Sequence, residues 1–170
     1  MDRVSKHITY AEAIYSSTAK KYGIDNTPTE THLTNMVRVA EAVFEPLREH
    51  FDKPIYISSF FRSAALNKKL PGAKNSQHLA NNGAAMDIDA DMFGGLSNTD
   101  IFEYIKDNLE FDQLIAEHKG DNGPAWVHVS FNEGKNRKQI LIATRDELSG
   151  KEIFLPYSPT LYKELHGQKA

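Results

Sequence analysis

The sequence contains no cysteine. The chain therefore forms no disulfide, and it offers no thiolate to a metal ion. Any metal that this protein binds must be held by imidazole or carboxylate side chains. The lack of cysteine does not by itself assign a cellular compartment.

Neither sign of charge dominates, and no long apolar run is present. The chain has 20 Lys and Arg against 23 Asp and Glu, a formal net charge of -3 at pH 7. This balance argues against a general nucleic-acid-binding protein, because binding to phosphates needs clustered cations. Residues 1–7 have no apolar segment typical of a signal peptide, and no run approaches the ~18 apolar residues of a membrane span. We therefore expect a protein that is made in the cytoplasm and has no membrane span.

The length and composition are those of one globular domain. With 170 residues and 40% hydrophobic content, the chain is long enough to bury a sizeable core. Periodic patterns extend to about residue 144, and beyond it they weaken and are interrupted by Pro156 and Pro159. We predict a single domain over residues 1–144 and a C-terminal extension of unknown role over residues 145–170.

Helical patterns dominate the first third of the chain. A Thr-x-x-Glu capping box predicts a helix over residues 9–21, stopped by Gly23. Apolar residues at helical spacing predict a second helix over residues 33–47, with Pro46 kinking or weakening its end. Serine caps predict two later helices, over residues 63–70 and 97–109.

Short β-rich segments dominate the rest of the chain. They predict strands over residues 54–58, 85–90, 111–116, 126–131 and 139–144. The last three are joined by fairly short loops, as in an antiparallel sheet. Because helices come first and strands later, we predict an α+β fold with N-terminal helices packed on a small, mainly antiparallel sheet.

Three side chains suggest a metal site. His78 and Asp87 flank a short glycine-containing turn, and His128 lies in a later predicted strand. Strand alternation puts His128 on the face opposite Val127 and Val129, which look like core. If the strands that carry Asp87 and His128 are neighbours, the two side chains converge. Two imidazoles and one carboxylate form the ligand set of an open catalytic zinc site.

Hydrolysis at such a site also needs a base and a cation. Glu117, at the end of the third predicted strand, is the candidate that takes a proton from water and passes it to a leaving amine. Arg62 is the candidate that holds a substrate carboxylate or the developing oxyanion.

Each of these residues also has an ordinary structural explanation. His78 alone is more often a solvated loop residue, and His128 alone a half-buried strand residue with a satisfied hydrogen bond. Asp87 alone could cap a turn, and Arg62 and Glu117 could be surface charges. We expect other polar residues to face solvent or to cap local structure: Asp89, Asp91, Asp112, His7, His32, His50, His118 and His166.

Around these residues the chain resembles the zinc D-Ala-D-Ala carboxypeptidases, particularly their compact bacterial and bacteriophage members. The family pattern is Ser-x-His-x-x-Gly-x-Ala-x-Asp followed by a later strand with a second histidine. Segments 76–78 and 83–87 fit its two halves, and segment 126–130 fits the later strand. The flanking segments 58–67 and 111–115 also resemble family segments.

The resemblance implies a DD-peptidase or hedgehog-like fold with one Zn²⁺, held by residues matching His78, Asp87 and His128. Arg62 and Ser76 match positions that contact the substrate or stabilise its oxyanion. The implied reaction is hydrolysis of a peptide bond in a peptidoglycan stem peptide, typically next to D-Ala. The implied setting is a bacteriophage enzyme that acts on the cell wall after lysis or as a virion-associated protein, with stem peptides and virion components as partners.

The chain departs from the pattern in two places. Two extra residues, with Asn81 and Asn82 as the candidates, lengthen the loop from His78 to Gly83. Many relatives carry the catalytic Glu three residues before the second histidine, where this chain has Ala125. The leading hypothesis is a carboxypeptidase or a related endopeptidase. The alternatives are a non-catalytic zinc-binding virion or cell-wall-binding module, and a zinc amidase acting on a different small amide.

Overall fold

A computed structural model describes residues 2–167. Seven α-helices are present among these residues: α1 (Tyr10–Ile14), α2 (Ser17–Tyr22), α3 (Glu30–Val39), α4 (Glu45–Phe51), α5 (Ala64–Lys69), α6 (Asn98–Asn108) and α7 (Pro159–His166). A π-helical segment, Ala40–Phe44, joins α3 to α4, and short 3-10 helices span Gln77–Leu79 and Asp91–Phe93. No helix within residues 2–167 is long and apolar enough to cross a membrane.

One mixed sheet of six strands organises the molecule. Its strands are β1 (Tyr56–Ser59), β2 (Ala84–Asp89), β3 (Gln113–Gly120), β4 (Gly123–Phe131), β5 (Gln139–Arg145) and β6 (Glu152–Pro156). They lie in the order β1-β2-β4-β3-β5-β6. All neighbours are antiparallel except β3 and β5. The predicted α+β class with a mainly antiparallel sheet is confirmed.

The parallel pairing of β3 with β5 is the exception to the expected arrangement. β4 already has β2 on its other edge, so β5 can pair only with the free edge of β3. β4 ends beside the start of β3, where Gln113 lies opposite Ser130. The connection over residues 132–138 therefore delivers β5 to the same end, and Gln139 pairs with Gln113.

The first predicted helix is divided into α1 and α2. Tyr15 is extended, with ψ of 134°, and ends α1. The Ser16 hydroxyl then accepts a hydrogen bond from the backbone N–H of Ala19 and caps α2. A serine side chain that caps a new helix competes with continuation of the old one. Gly23 ends α2 in the left-handed conformation, with φ of 63°, as predicted.

The second predicted helix is longer than expected and runs through Pro46 to Phe51. Proline has no N–H with which to bond the carbonyl one turn earlier. Here the π-helical segment comes immediately before Pro46, and the Glu45 N–H bonds to the Ala40 carbonyl. This wider turn adjusts the backbone hydrogen bonding where proline interrupts it.

The core lies between one face of the sheet and the helices. Alternate residues of β2, β3 and β4 are fully buried there, among them Met86, Leu114, Val127 and Val129. Helix α3 contacts β2, and α6 contacts β4. By strand alternation the intervening residues face the other side of the sheet, which leaves that side available for polar chemistry.

The C-terminal segment adds β6 and α7 to the molecule. The Tyr162 ring of α7 stacks on Phe102 of α6 at 4.9 Å. His166 is only 4% exposed, so the prediction that it is a surface histidine is wrong. The boundary between a domain over residues 1–144 and an extension over residues 145–170 stays a prediction, and residues 168–170 lie outside the described residues.

Candidate metal centre

Three side chains converge on the open face of the sheet. Asp87 of β2 and His128 of β4 are direct register partners, so their side chains project from the same face. The Nδ1 atom of His128 lies 2.9 Å from Asp87 Oδ1, and Nε2 of His78 lies 3.2 Å from the same carboxylate. One ligand atom from each residue lies within 4.8 Å of the other two. The structure thus brings together the three predicted metal ligands.

The backbone around His78 fixes the orientation of its ring. Its Nδ1 lies 2.7 Å from the carbonyl oxygen of Phe60, which is an acceptor, so Nδ1 carries the proton and donates it. The lone pair of Nε2 then points to Asp87. The Ser76 hydroxyl accepts a hydrogen bond from the His78 N–H, and the Arg62 N–H donates to the His78 carbonyl at 2.9 Å.

The two extra residues of the loop are held by helix α3. Asn35 donates through Nδ2 to the Ala80 carbonyl at 2.8 Å, and His32 Nε2 lies 3.1 Å from Asn81 Oδ1. Ala80 adopts a positive φ of 56°, which turns the chain back toward β2. The lengthened loop therefore still delivers Asp87 to His78.

Gly83 fits a close approach between the end of this loop and β4. Its φ is +101°, and a Cβ there would lie 2.5 Å from the carbonyl oxygen of Phe131. Only glycine combines that backbone conformation with that contact without strain.

The protonation states suit metal binding. Burial lowers the pKa of His78, so its ring is neutral near pH 7. Burial on its own would raise the pKa of Asp87, but its contacts with His78 and His128 hold that pKa well below the ordinary carboxyl value. A neutral imidazole and an ionised carboxylate are the forms that bind a divalent cation. The donor set and its Nδ1–H contact to a backbone carbonyl fit such an ion.

Arg62 contacts the centre directly. Its Nη2 donates to Asp87 Oδ2 at 3.0 Å, and its Nε donates to the Ser59 hydroxyl at 3.0 Å. These two bonds orient the guanidinium beside the carboxylate. Among residues 2–167, Nη1 of Arg62 has no hydrogen-bond partner within the chain, and Arg62 lines the open cavity.

Glu117 faces the same cavity from β3. It pairs with Trp126, while its neighbour on the same face, Ile115, pairs with His128. Glu117 is 9% exposed, and burial raises its pKa to about 7. A carboxyl group that titrates near neutrality is suited to both accepting and donating a proton.

The cavity continues well beyond the three ligands. It has a volume of about 880 Å³ and is open to solvent. At one end it is lined by Ser76 and the ligands, and at the other by Lys135, Arg137, Leu141 and Phe154. This groove is large enough for several residues of an extended peptide.

The sequence did not indicate the role of Asp112. Instead of facing solvent it has a side chain only 3% exposed, and it pairs with Arg137 at 2.7 Å. Its Oδ2 also accepts a hydrogen bond from Gln77 Nε2 at 2.6 Å. Asp112 thus ties the turn that carries His78 to the loop after β4. Nothing in the spacing of these residues identifies the contact, because it joins three separate segments.

Comparison with known proteins gives one family. The family model described as Peptidase M15 matches residues 6–130, which is more than half of the chain and includes all three converging ligands. No curated protein sequence matches the chain.

Proposed function

The chain belongs to the peptidase M15 family, whose members are metal-dependent peptidases, and we propose that it is a zinc enzyme that hydrolyses peptide bonds in peptidoglycan stem peptides. The proposed activity is that of a D-Ala-D-Ala carboxypeptidase or a related endopeptidase. The observation that carries the proposal is the convergence of His78, Asp87 and His128 beside the buried Glu117 in one open groove.

The donor set favours zinc among divalent cations. Two imidazole nitrogens and one carboxylate oxygen leave the fourth position of a tetrahedral ion open. When bound, zinc would polarise the peptide carbonyl and make a water molecule more acidic. The ligands would hold it at ~2.0–2.2 Å.

The residues around the metal then have separate proposed roles. Glu117 takes a proton from the attacking water as the new C–O bond forms, and it gives that proton to the leaving nitrogen as the C–N bond breaks. Arg62 keeps Asp87 in place through Nη2 and directs its free Nη1 toward the oxyanion or a substrate carboxylate. Ser76, which lines the groove beside His78, contacts the substrate.

The charge of the groove supports a peptide that carries carboxylates. Arg62 lies at the metal end, and Lys135 and Arg137 line the other end. A stem peptide has a terminal carboxylate that such cations attract. We propose that the enzyme meets this substrate in the cell wall, after lysis or as part of a bacteriophage virion.

A direct assay tests the proposal. Purified chain loaded with zinc is incubated with a stem pentapeptide ending in D-Ala-D-Ala, and released D-Ala is measured. We expect about one tightly bound zinc per chain, the number for a single open site, together with turnover. His78→Ala should lose both, whereas the exposed His50→Ala, which alters a histidine stacked on Tyr104, should keep both. Failure to bind zinc after metal loading would overturn the proposal.

A second candidate is a non-catalytic zinc-binding module on the same fold. Ala125 favours it, because many relatives have the catalytic Glu at that position. The module would bind zinc and muropeptides without hydrolysis. Turnover that disappears in Glu117→Gln, with zinc retained, would rule it out. A substrate panel in which only stem peptides are cleaved would rule out a zinc amidase of other specificity.

A further inference from the structure

A second group of potential metal ligands lies in the same groove. One ligand atom each from Glu117, His118 and Glu152 lies within 4.8 Å of the other two. The closest pair is His118 Nε2 and Glu152 Oε1, at 2.9 Å. Glu152 comes from β6, at the side of the groove opposite β2.

An irregularity in β3 places His118 in this group. Regular alternation would send adjacent residues 117 and 118 to opposite faces of the sheet. Instead His118 adopts a positive φ of 50°, and the pairing with β4 passes from Glu117–Trp126 to Lys119–Pro124. The ring of His118 lies 5.3 Å from that of Trp126, which lines the groove. Two consecutive residues thus contribute to one cluster.

Glu117 supplies an independent indication of a ligand. It is only 9% exposed, yet within residues 2–167 its carboxylate has no hydrogen bond and no ion pair. A carboxylate with so little exposure normally has a partner, because its desolvation is costly. Its ligand atom is directed at the same point as those of His118 and Glu152.

We propose that Glu117, His118 and Glu152 form a second divalent-cation site, which inhibits the peptidase when it is filled. One imidazole and two carboxylates match the ligands of zinc, with a fourth position left for water. The two carboxylates balance the charge of the ion. An ion held there occupies the carboxylate that must take a proton from water. Excess zinc therefore stops the reaction that the first zinc supports.

The inhibitory part rests on the proposed function, since it requires Glu117 to act as the base. The binding part does not. Zinc binding is therefore measured first, by equilibrium dialysis and calorimetry, on full-length chain without an affinity tag. We expect one tight and one weaker zinc per wild-type chain.

Two variants remove the weaker site. His118→Asn keeps a residue that tolerates positive φ, and Glu152→Gln alters an exposed side chain, so one of them remains informative if the other folds poorly. Each should keep the tight zinc and lose the weaker one, and His78→Ala should show the reverse. Saturation of the wild type at a single zinc, or a weaker site unchanged in both variants, would overturn the proposal.

Activity then tests inhibition. At a free zinc concentration ten times the dissociation constant of the weaker site, wild-type turnover should fall about tenfold, from simple saturation. His118→Asn and Glu152→Gln should not show this fall relative to their own activity at low zinc. Equal inhibition in both variants would overturn the inhibitory role. Two bound zinc ions without any turnover would instead overturn the proposed function while supporting the second site.

Discussion

Replacement of Asp112 by Asn tests whether a buried carboxylate holds the metal-binding turn in place. Asp112 accepts hydrogen bonds from Gln77 Nε2 at 2.6 Å, from Arg137 Nη2 at 2.7 Å and from Arg137 Nε at 2.8 Å. The Arg137 backbone N–H also donates to it, at 3.0 Å. Asparagine has nearly the same shape but loses the charge, and its NH₂ group would face these donors.

The size of the effect follows from these contacts. A hydrogen bond to a charged group contributes about 1.5–3 kcal/mol, and loss of the carboxylate affects several at once. The Arg137 side chain is 56% exposed, so it can turn to water and recover part of the loss. We expect Asp112→Asn to lower the free energy of unfolding by about 2–3 kcal/mol. Zinc should also bind about tenfold more weakly, because Gln77 precedes the ligand His78.

Urea unfolding with bound metal removed measures the stability term. The midpoint should fall by about 1 M, for a slope of about 2 kcal/mol/M that does not change. Asp121→Asn, at an exposed aspartate, is the matched control and should change stability by less than about 0.5 kcal/mol. A Asp112→Asn variant as stable as this control at pH 7 would refute the reasoning.

The pH dependence gives a second check. The hydrogen bonds from Arg137 lower the pKa of Asp112 in the folded protein. A carboxyl with a lowered folded pKa stabilises the protein above its unfolded pKa of about 3.9, and this stabilisation is lost as the pH falls through the folded value. The difference between wild type and Asp112→Asn should therefore be full at pH 7 and shrink below about pH 4.

Three further predictions concern the centre. Glu117→Gln should lower kcat by about 10²–10⁴-fold, measured by D-Ala release, with the tight zinc retained. Because the pKa of Glu117 is raised to about 7 and the base works only when deprotonated, kcat/KM should rise as the pH increases through 7. Glu117→Gln should lack this limb. Gly83→Ala should destabilise the fold by at least about 2 kcal/mol in urea unfolding, given its positive φ and the Phe131 contact.

Alternation in the sequence predicted the central geometry because the strands that carry Asp87 and His128 are regular. Their direct pairing required β2 and β4 to be neighbours, which the pattern alone left open. The cluster at His118 depends on a positive φ within β3, and non-glycine sequences give no reliable indication of that conformation. The packing of β6 and α7 was also missed, because short amphipathic segments near prolines have weak periodicity.

The sheet order bears on the departure at Ala125. Along β4, Trp126 and His128 line the groove, so regular alternation directs Ala125 to the face of the core residue Val127. An acid at position 125 would thus need a local distortion to reach the metal centre. Glu117 needs none, because it lies directly opposite Trp126 on the neighbouring strand β3 and shares its face. In this chain, therefore, the adjacent strand is the simpler source of a base. For that reason Glu117→Gln distinguishes a working peptidase from an inactive relative better than any change at Ala125.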